Sequence, residues 1–333
     1  LRYQAFIICF LAVFSAGVTT ASANTEDFAS WLKELRAEAL ADGISAKTVS
    51  HALPDTLKPI DKILELDRKQ PEGHVTYEDY LKKTVSEDRV EKGRTNMLNY
   101  RRLLDSVEDE YPADKAFVVA LWGIETSYGA NTGNYDVVNA LATLAYDGRR
   151  SDFFRGELMK ALTILDEGHI TQSRMKGSWA GAMGQTQFMP SSFFKFAVDF
   201  NKDGHRDIWT TQGDVFASAA NYLALSGWKK GAPWGREVKV PANIDRQLLG
   251  ANNTYTLQFW NDKGVRLMDG SAVPFEGEYQ VSLIQPDGPG TRAYLVYENY
   301  RTLLKWNKSS FFATAVCLLA DRIKSAGILP KKA

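Results

Sequence analysis

The chain is poor in cysteine and histidine and carries no excess charge of either sign. Two cysteines and four histidines occur in 333 residues, and 40 Lys+Arg balance 40 Asp+Glu. A neutral chain gives no electrostatic argument for binding nucleic acid or an anionic membrane surface. Cys9 sits in an N-terminal apolar stretch, which leaves only Cys317 for the body of the protein and excludes an internal disulfide there. The neighbours of Cys317 in "FFATAVCLLA" are apolar, the setting of an inert core thiol. His51, His74 and His169 are scattered among polar residues, so they form no ligand set and are expected at the surface. Internal repeats and low-complexity segments are absent.

Long apolar runs are also lacking, apart from one at the start. Residues 1–23 contain a lone Arg2, an apolar stretch from Ala5 to Val18 and the small-x-small signal Ala21-Ser22-Ala23. This pattern predicts a secretory signal peptide. Its apolar run falls short of the ~20 residues that span a bilayer, and Cys9 is poorly placed for lipid attachment. An exported, periplasmic protein without a transmembrane anchor is therefore expected. Removing 23 of 333 residues leaves 310, enough to bury a large core.

From 24 to 111 the pattern predicts an N-terminal helical region. Phe28, Trp31, Leu32, Leu35 and Ala39 fall on one helical face, Gly43 is a stop, and Ser45 can cap a second short helix. After the "QPEG" break at 70–73, residues 76–111 read as amphipathic helix with a solvated charged face. A helical block at 112–228 follows. Between 229 and 300, "WGREVKVP", "TYTLQFW", "EYQVSLIQP" and "RAYLVYE" read as a small β-rich insert. Residues 301–333 return to helix. The fold class expected is mainly α (α+β).

Within the central block, "ALWGIETSYG" places Glu125 at the end of an almost wholly apolar helix, with Gly129 as its breaker. Burial and the negative helix end both disfavour a carboxylate, so the position suits an acid that keeps its proton near neutral pH. A Glu hydrogen-bonded to caps, or paired with Arg149 or Arg150, fits the helix equally well. Further on, "KGSWAGAMGQTQFMPSS" combines close-approach glycines with the neutral groups of Ser178, Gln185 and Gln187 and the flat faces of Trp179 and Phe188. Such a set suits an uncharged polyol such as a sugar. It lacks the His, Cys and acids of a metal site and the Walker spacing of a phosphate loop. A Gly-rich connection between helices is the plain alternative.

"GIETSYGANTG", "NALATLAYDGRRSDFFRGEL", "GSWAGAMGQTQFMPSSFFKFAVDFNKDGHRDIW" and "ANYL" together resemble the B-type lytic murein transglycosylases. "FASWLKELRAEALADGIS", "LDRKQPE" and "KWNKS" extend the resemblance over most of the chain. It implies a lysozyme-like core. It places the catalytic acid/base on Glu125 and substrate contacts on Ser178, Gln187, Tyr222 and Asn307. Trp306 stands where the family often has Tyr, which preserves stacking on sugar but removes a phenol contact. Arg149 and Arg150 match the family's paired arginines and could meet acidic groups of the glycan or its stem peptides, or form a structural ion pair. Gln185 and Thr186 fall where relatives vary and receive no catalytic role.

The resemblance implies cleavage between N-acetylmuramic acid and N-acetylglucosamine by one Glu, without the two carboxylates of most glycosidases. The product would carry a 1,6-anhydro ring. Asp136, the nearest later acid, is expected to be a turn or cap residue. Murein glycan strands are the implied partner, and no organic cofactor is expected. A lysozyme-type hydrolase and a non-catalytic glycan-binding scaffold are the alternatives.

The stretch 199–214, "DFNKDGHRDIWTTQGD", opens like an EF-hand: Asp199, Asn201 and Asp203 at positions 1, 3 and 5, Gly204 at 6, the His205 carbonyl at 7. Position 12 is Thr210, where an EF-hand has a bidentate Glu. In the resembled family the loop is longer, and Asp214 stands where the closing ligand would fall. A structural Ca2+ is expected here.

Overall fold

The computed structural model describes residues 27–69, 75–274 and 279–325. The expected signal peptide and His74 lie outside the described residues. Among the described residues six helices come first: α1 (Phe28–Ala41), α2 (Ala46–Ala52), α3 (Asp61–Arg68), α4 (Tyr77–Thr84), α5 (Glu87–Asn99) and α6 (Arg101–Glu110). The central block holds α7 (Lys115–Thr126), β1 (Tyr135–Asp136), α8 (Val137–Tyr146), α9 (Ser151–Asp166), β2 (Lys176–Gly177), α10 (Pro190–Phe196) and α11 (Gln212–Leu225). Next come β3 (Gly235–Lys239), β4 (Tyr255–Thr256), α12 (Leu257–Asp262), β5 (Arg266–Leu267), β6 (Gln280–Ile284) and β7 (Ala293–Val296), then α13 (Glu298–Trp306) and α14 (Ser310–Lys324). The fold is mainly α with a small sheet. Among the described residues no helix is long and apolar enough to cross a membrane.

Two compact units cut across the linear order. The first joins 27–69 to 122–221, and the second joins 75–121 to 222–325, so the N-terminal helical region is shared between them. In the first unit α8 buries all but its Asn139 and Tyr146, as "VVNALATLAY" requires of a core helix. It packs on α9, with α2, α3 and α10 around the pair. On α1, Trp31, Leu32, Leu35 and Ala39 form the buried stripe, and Ser45 caps α2 by accepting the Thr48 N–H.

In the second unit α14 packs against α4, α5 and α13. Burial raises the pKa of its Cys317 thiol well above the usual range, which keeps the thiol inert. The sheet runs in the order β4-β6-β7-β3-β5 with every pair antiparallel. Trp260, Val281, Leu283 and Leu295 are fully buried in its core, where Trp260 Nε1 donates to the Val281 carbonyl at 3.1 Å.

Two local expectations change. The helical stretch at 76–111 is three helices, because Ser86 accepts the Arg89 N–H and restarts the chain as α5. "TYTLQFW" is a strand for only two residues. Thr256 then caps α12 by accepting the Phe259 N–H, and the aromatic run turns helical despite its β propensity.

Candidate active site

Glu125 lies in the last turn of α7 and is 6% exposed. Behind it the helix is packed by Phe117, Val118, Val119, Leu121 and Trp122, all buried. The chain then makes an unusual exit: Ser127, Tyr128 and Gly129 all adopt left-handed backbone, at φ 52°, 62° and 81°. For the two residues with side chains this costs on the order of 1–3 kcal/mol each, so surrounding bonds must hold the turn. Tyr128 N–H donates to the Trp122 carbonyl at 3.2 Å, and Asn131 N–H donates to Thr126 O at 2.9 Å. The Thr126 hydroxyl accepts the Gly129 N–H at 3.1 Å and lies 3.1 Å from the Gln185 carbonyl. Glu125 is thereby fixed on a rigid, pinned helix end.

The Gly-rich block folds against this turn. Ser178 Oγ accepts the Ala182 N–H at 3.0 Å and closes a tight turn. Gln185 is buried, and its amide joins three segments. Trp122 Nε1 donates to its Oε1 at 2.7 Å, its Nε2 donates to Trp209 O at 2.9 Å, and its own N–H donates to Ile208 O at 2.8 Å. Two glycines allow this approach. A Cβ on Gly129 would lie 2.4 Å from Gln185 Oε1, and one on Gly184 would lie 2.6 Å from the Ile208 carbonyl. Gln185, assigned no catalytic part from sequence, is thus the tie between the Glu125 turn and the block. Its spacing of 63 residues from Trp122 gives no local signal.

Gln187 has a left-handed backbone (φ 51°) and is 8% exposed. Its Nε2 donates to Thr132 O at 3.1 Å and Gly184 O at 2.9 Å, while its Oε1 is buried with no hydrogen-bond partner. The Thr186 hydroxyl is buried and unpartnered as well. Buried acceptors without donors cost roughly 1–3 kcal/mol, and a ligand N–H or O–H would satisfy them. Asp136 caps α8, accepting the Asn139 N–H at 3.0 Å, and pairs with Lys176 at 3.6 Å. Glu157, another buried acid, accepts the Ser191 N–H at 2.8 Å.

Arg149 and Arg150 share a structural partner. Asp67 on α3 is 1% exposed, Arg150 reaches its Oδ1 at 2.6 Å, and Arg149 reaches its Oδ2 at 3.5 Å. Asp67 follows buried Ile63 by one helical turn, which was the only signal in the sequence. Removing it leaves two guanidiniums facing a buried hole. Asp67→Ala is expected to lower unfolding stability by about 2–3 kcal/mol, below the full figure for a buried pair because both arginines are partly solvated. Urea unfolding measures this, and a loss under ~0.5 kcal/mol would place Asp67 among ordinary surface changes.

Tyr222, Trp306 and Asn307 lie in the second unit. The Tyr222 and Trp306 rings are 4.5 Å apart at 57°, and the Tyr222 hydroxyl donates to Lys305 O at 2.7 Å. Burial pushes the Tyr222 phenol up to about 12. Asn307 ends α13, with its Oδ1 accepting the Ser309 N–H at 2.9 Å.

The 199–214 loop is shaped by its own acids. Asp199 accepts the Gly204 N–H at 2.8 Å, Asn201 Oδ1 accepts the Asp203 N–H at 3.3 Å, and Asp203 accepts the His205 N–H at 2.9 Å. Asp214, expected as the closing ligand, also braces the loop from within. It is fully buried, and its two oxygens accept the Phe200 N–H at 2.9 Å and the Asp207 N–H at 2.8 Å, clamping both ends of the loop. Burial pushes its carboxyl up to about 6, against the pull of those two N–H groups. Among the described residues no three His, Cys, Asp or Glu side chains are gathered as a metal cage. The hard oxygen donors of the loop are Asp199, Asn201, Asp203 and Asp214 with the His205 carbonyl, a set whose chemistry suits Ca2+. His169 is not a plain surface residue: its Nδ1 accepts the Arg206 N–H at 3.2 Å, and its ring packs on Phe193.

Residues 27–321 match the model of the transglycosylase SLT domain. The chain is 32% identical over 253 residues to membrane-bound lytic murein transglycosylase B of Escherichia coli, covering 75% of this chain and 68% of that protein. The structure of SltB3 from Pseudomonas aeruginosa in complex with NAG-anhNAM-pentapeptide superposes with a TM-score of 0.87 at 42% identity, covering 92% of this chain and 82% of that one. E. coli SLT35 in complex with calcium superposes at 0.77 and 28% identity, covering 89% and 93%. A lysozyme-like helical core, a pinned Glu at the end of an apolar helix and a match along nearly the whole described chain lead to one conclusion: the protein belongs to the SLT-domain transglycosylases, among the B-type lytic enzymes.

Proposed function

We propose that this lytic transglycosylase cleaves the β-1,4 bond between N-acetylmuramic acid and N-acetylglucosamine in murein, with Glu125 as its only acid and base. Glu125 protonates the glycosidic oxygen as the bond from C1 of the muramyl unit breaks. The muramyl 2-acetamido group supports the anomeric centre, as in substrate-assisted glycosidases. Glu125, now anionic, takes the proton from the muramyl C6 hydroxyl, whose oxygen closes on C1. One C–O bond is exchanged for another and no water is consumed.

The observation that carries this reading is the buried Glu125 on a strained, pinned turn, joined through Gln185 to a block whose Gln187 holds an unpartnered acceptor. Asp136, committed to capping α8, supports a one-acid mechanism. Ser178, Gln187, Tyr222, Trp306 and Asn307 are the proposed glycan contacts. The apolar N-terminal stretch supports export to the periplasm, where murein lies. Mass analysis of products from purified murein tests the reaction. Disaccharide ends lighter by one water are expected, and intact reducing ends would make the enzyme a hydrolase.

A structural Ca2+ is proposed at Asp199, Asn201, Asp203, the His205 carbonyl and Asp214. Millimolar Ca2+ is expected to raise the melting temperature. A ligand present at 100 times its dissociation constant stabilises by about 2.7 kcal/mol. Asp203→Ala should abolish that gain, and an equal Ca2+ response in this variant would remove the site.

A further inference from the structure

A cavity of about 730 Å³ opens in the second unit, lined by residues from 246–252, 284–289 and 300–310. This volume lies within the range of roughly 300–1,000 Å³ typical of small-ligand sites. Among the described residues its charged lining groups are the cations Arg246 and Lys308, with no carboxylate beside them. Both are exposed and form no ion pair among the described residues. Gln285 is half engaged: Nε2 donates to Thr291 O at 3.0 Å, while Oε1 is buried and accepts nothing. Leu249 and Leu304 supply apolar wall. Lys308 directly follows Asn307, so the cavity begins where the proposed glycan-contact segment ends.

The lining discriminates among ligands. A sugar would want an open aromatic face, but Tyr300, the one ring among the described lining residues, is fully buried, with its hydroxyl donating to Ser310 O at 3.3 Å. A lone phosphate would leave the apolar wall and the Gln285 acceptor unused. A short peptide with free carboxylates and small apolar side chains uses all of them.

We propose that this cavity binds the acidic stem peptide carried by the muramyl unit, an inference that takes the identity of the peptide from the transglycosylase reading. Carboxylates face Arg246 and Lys308, a peptide N–H satisfies Gln285 Oε1, and methyl groups pack on Leu249 and Leu304. The test is calorimetric titration of the full chain with a synthetic stem tetrapeptide and with the same peptide converted to carboxamides. Saturable binding of the acid form is expected, weakened about tenfold or more by amidation, by Arg246→Glu and by Lys308→Ala. Arg246→Glu should also raise KM about tenfold on stem-bearing glycan and leave peptide-stripped glycan turnover unchanged. No binding by wild type, equal binding of the carboxamide, or an unaltered Arg246→Glu titration overturns the proposal. A wild type that binds the peptide but yields no anhydro product would sink the transglycosylase reading alone.

Discussion

Glu125→Gln is expected to reduce murein cleavage by about 10³–10⁴-fold, at the upper end of what general acid–base groups contribute. The magnitude follows from double duty. A glutamine can neither protonate the leaving oxygen nor take the C6 hydroxyl proton, and no second carboxylate takes part in the proposed reaction. The change is nearly isosteric at a 6% exposed position, so the fold should persist. Release of soluble muropeptides measures activity, and circular dichroism checks the fold. A folded variant within tenfold of wild type would contradict the assignment.

The second large effect is expected at a residue that does no chemistry. Gln185→Leu removes the acceptor of the Trp122 indole N–H and the donor to the Trp209 carbonyl, both buried. At roughly 1–3 kcal/mol for each orphaned group, a loss of about 3 kcal/mol in unfolding free energy is expected. Activity should fall with it, because Thr126 and Gly129 seat the Glu125 turn against this segment. Urea unfolding and murein turnover of the folded fraction measure the two effects. A variant as stable and active as wild type would show that the tie is dispensable.

The features legible in the sequence were those with a local cause. The apolar "FVVALWGI" run announced α7, and Gly129 announced its end, which placed Glu125 in the last turn. Ser45 and Asp136 could be read as caps because capping needs only the next three residues. What stayed hidden was tertiary. Gln185 acquires its part from Trp122 and Trp209, and Asp67 from arginines 82 and 83 residues further along. The β reading of "TYTLQFW" failed for a related reason. Thr256 supplies a cap and Trp260 a core anchor, and together they outweigh the strand preference of the aromatic residues. Asp214 matched a ligand position in order along the chain, but its bonds to the Phe200 and Asp207 N–H groups had no local signal. The two compact units were equally invisible, since 27–69 and 76–111 look alike as amphipathic helix and differ in what they pack against.

The central claim is that one buried carboxyl returns the muramyl unit's own hydroxyl to its anomeric carbon without water. Digesting purified murein in water enriched in heavy oxygen, followed by mass analysis of the released disaccharide peptides, addresses it directly. Anhydromuramyl ends that carry no heavy oxygen are predicted. Reducing ends labelled at the anomeric oxygen would contradict the account.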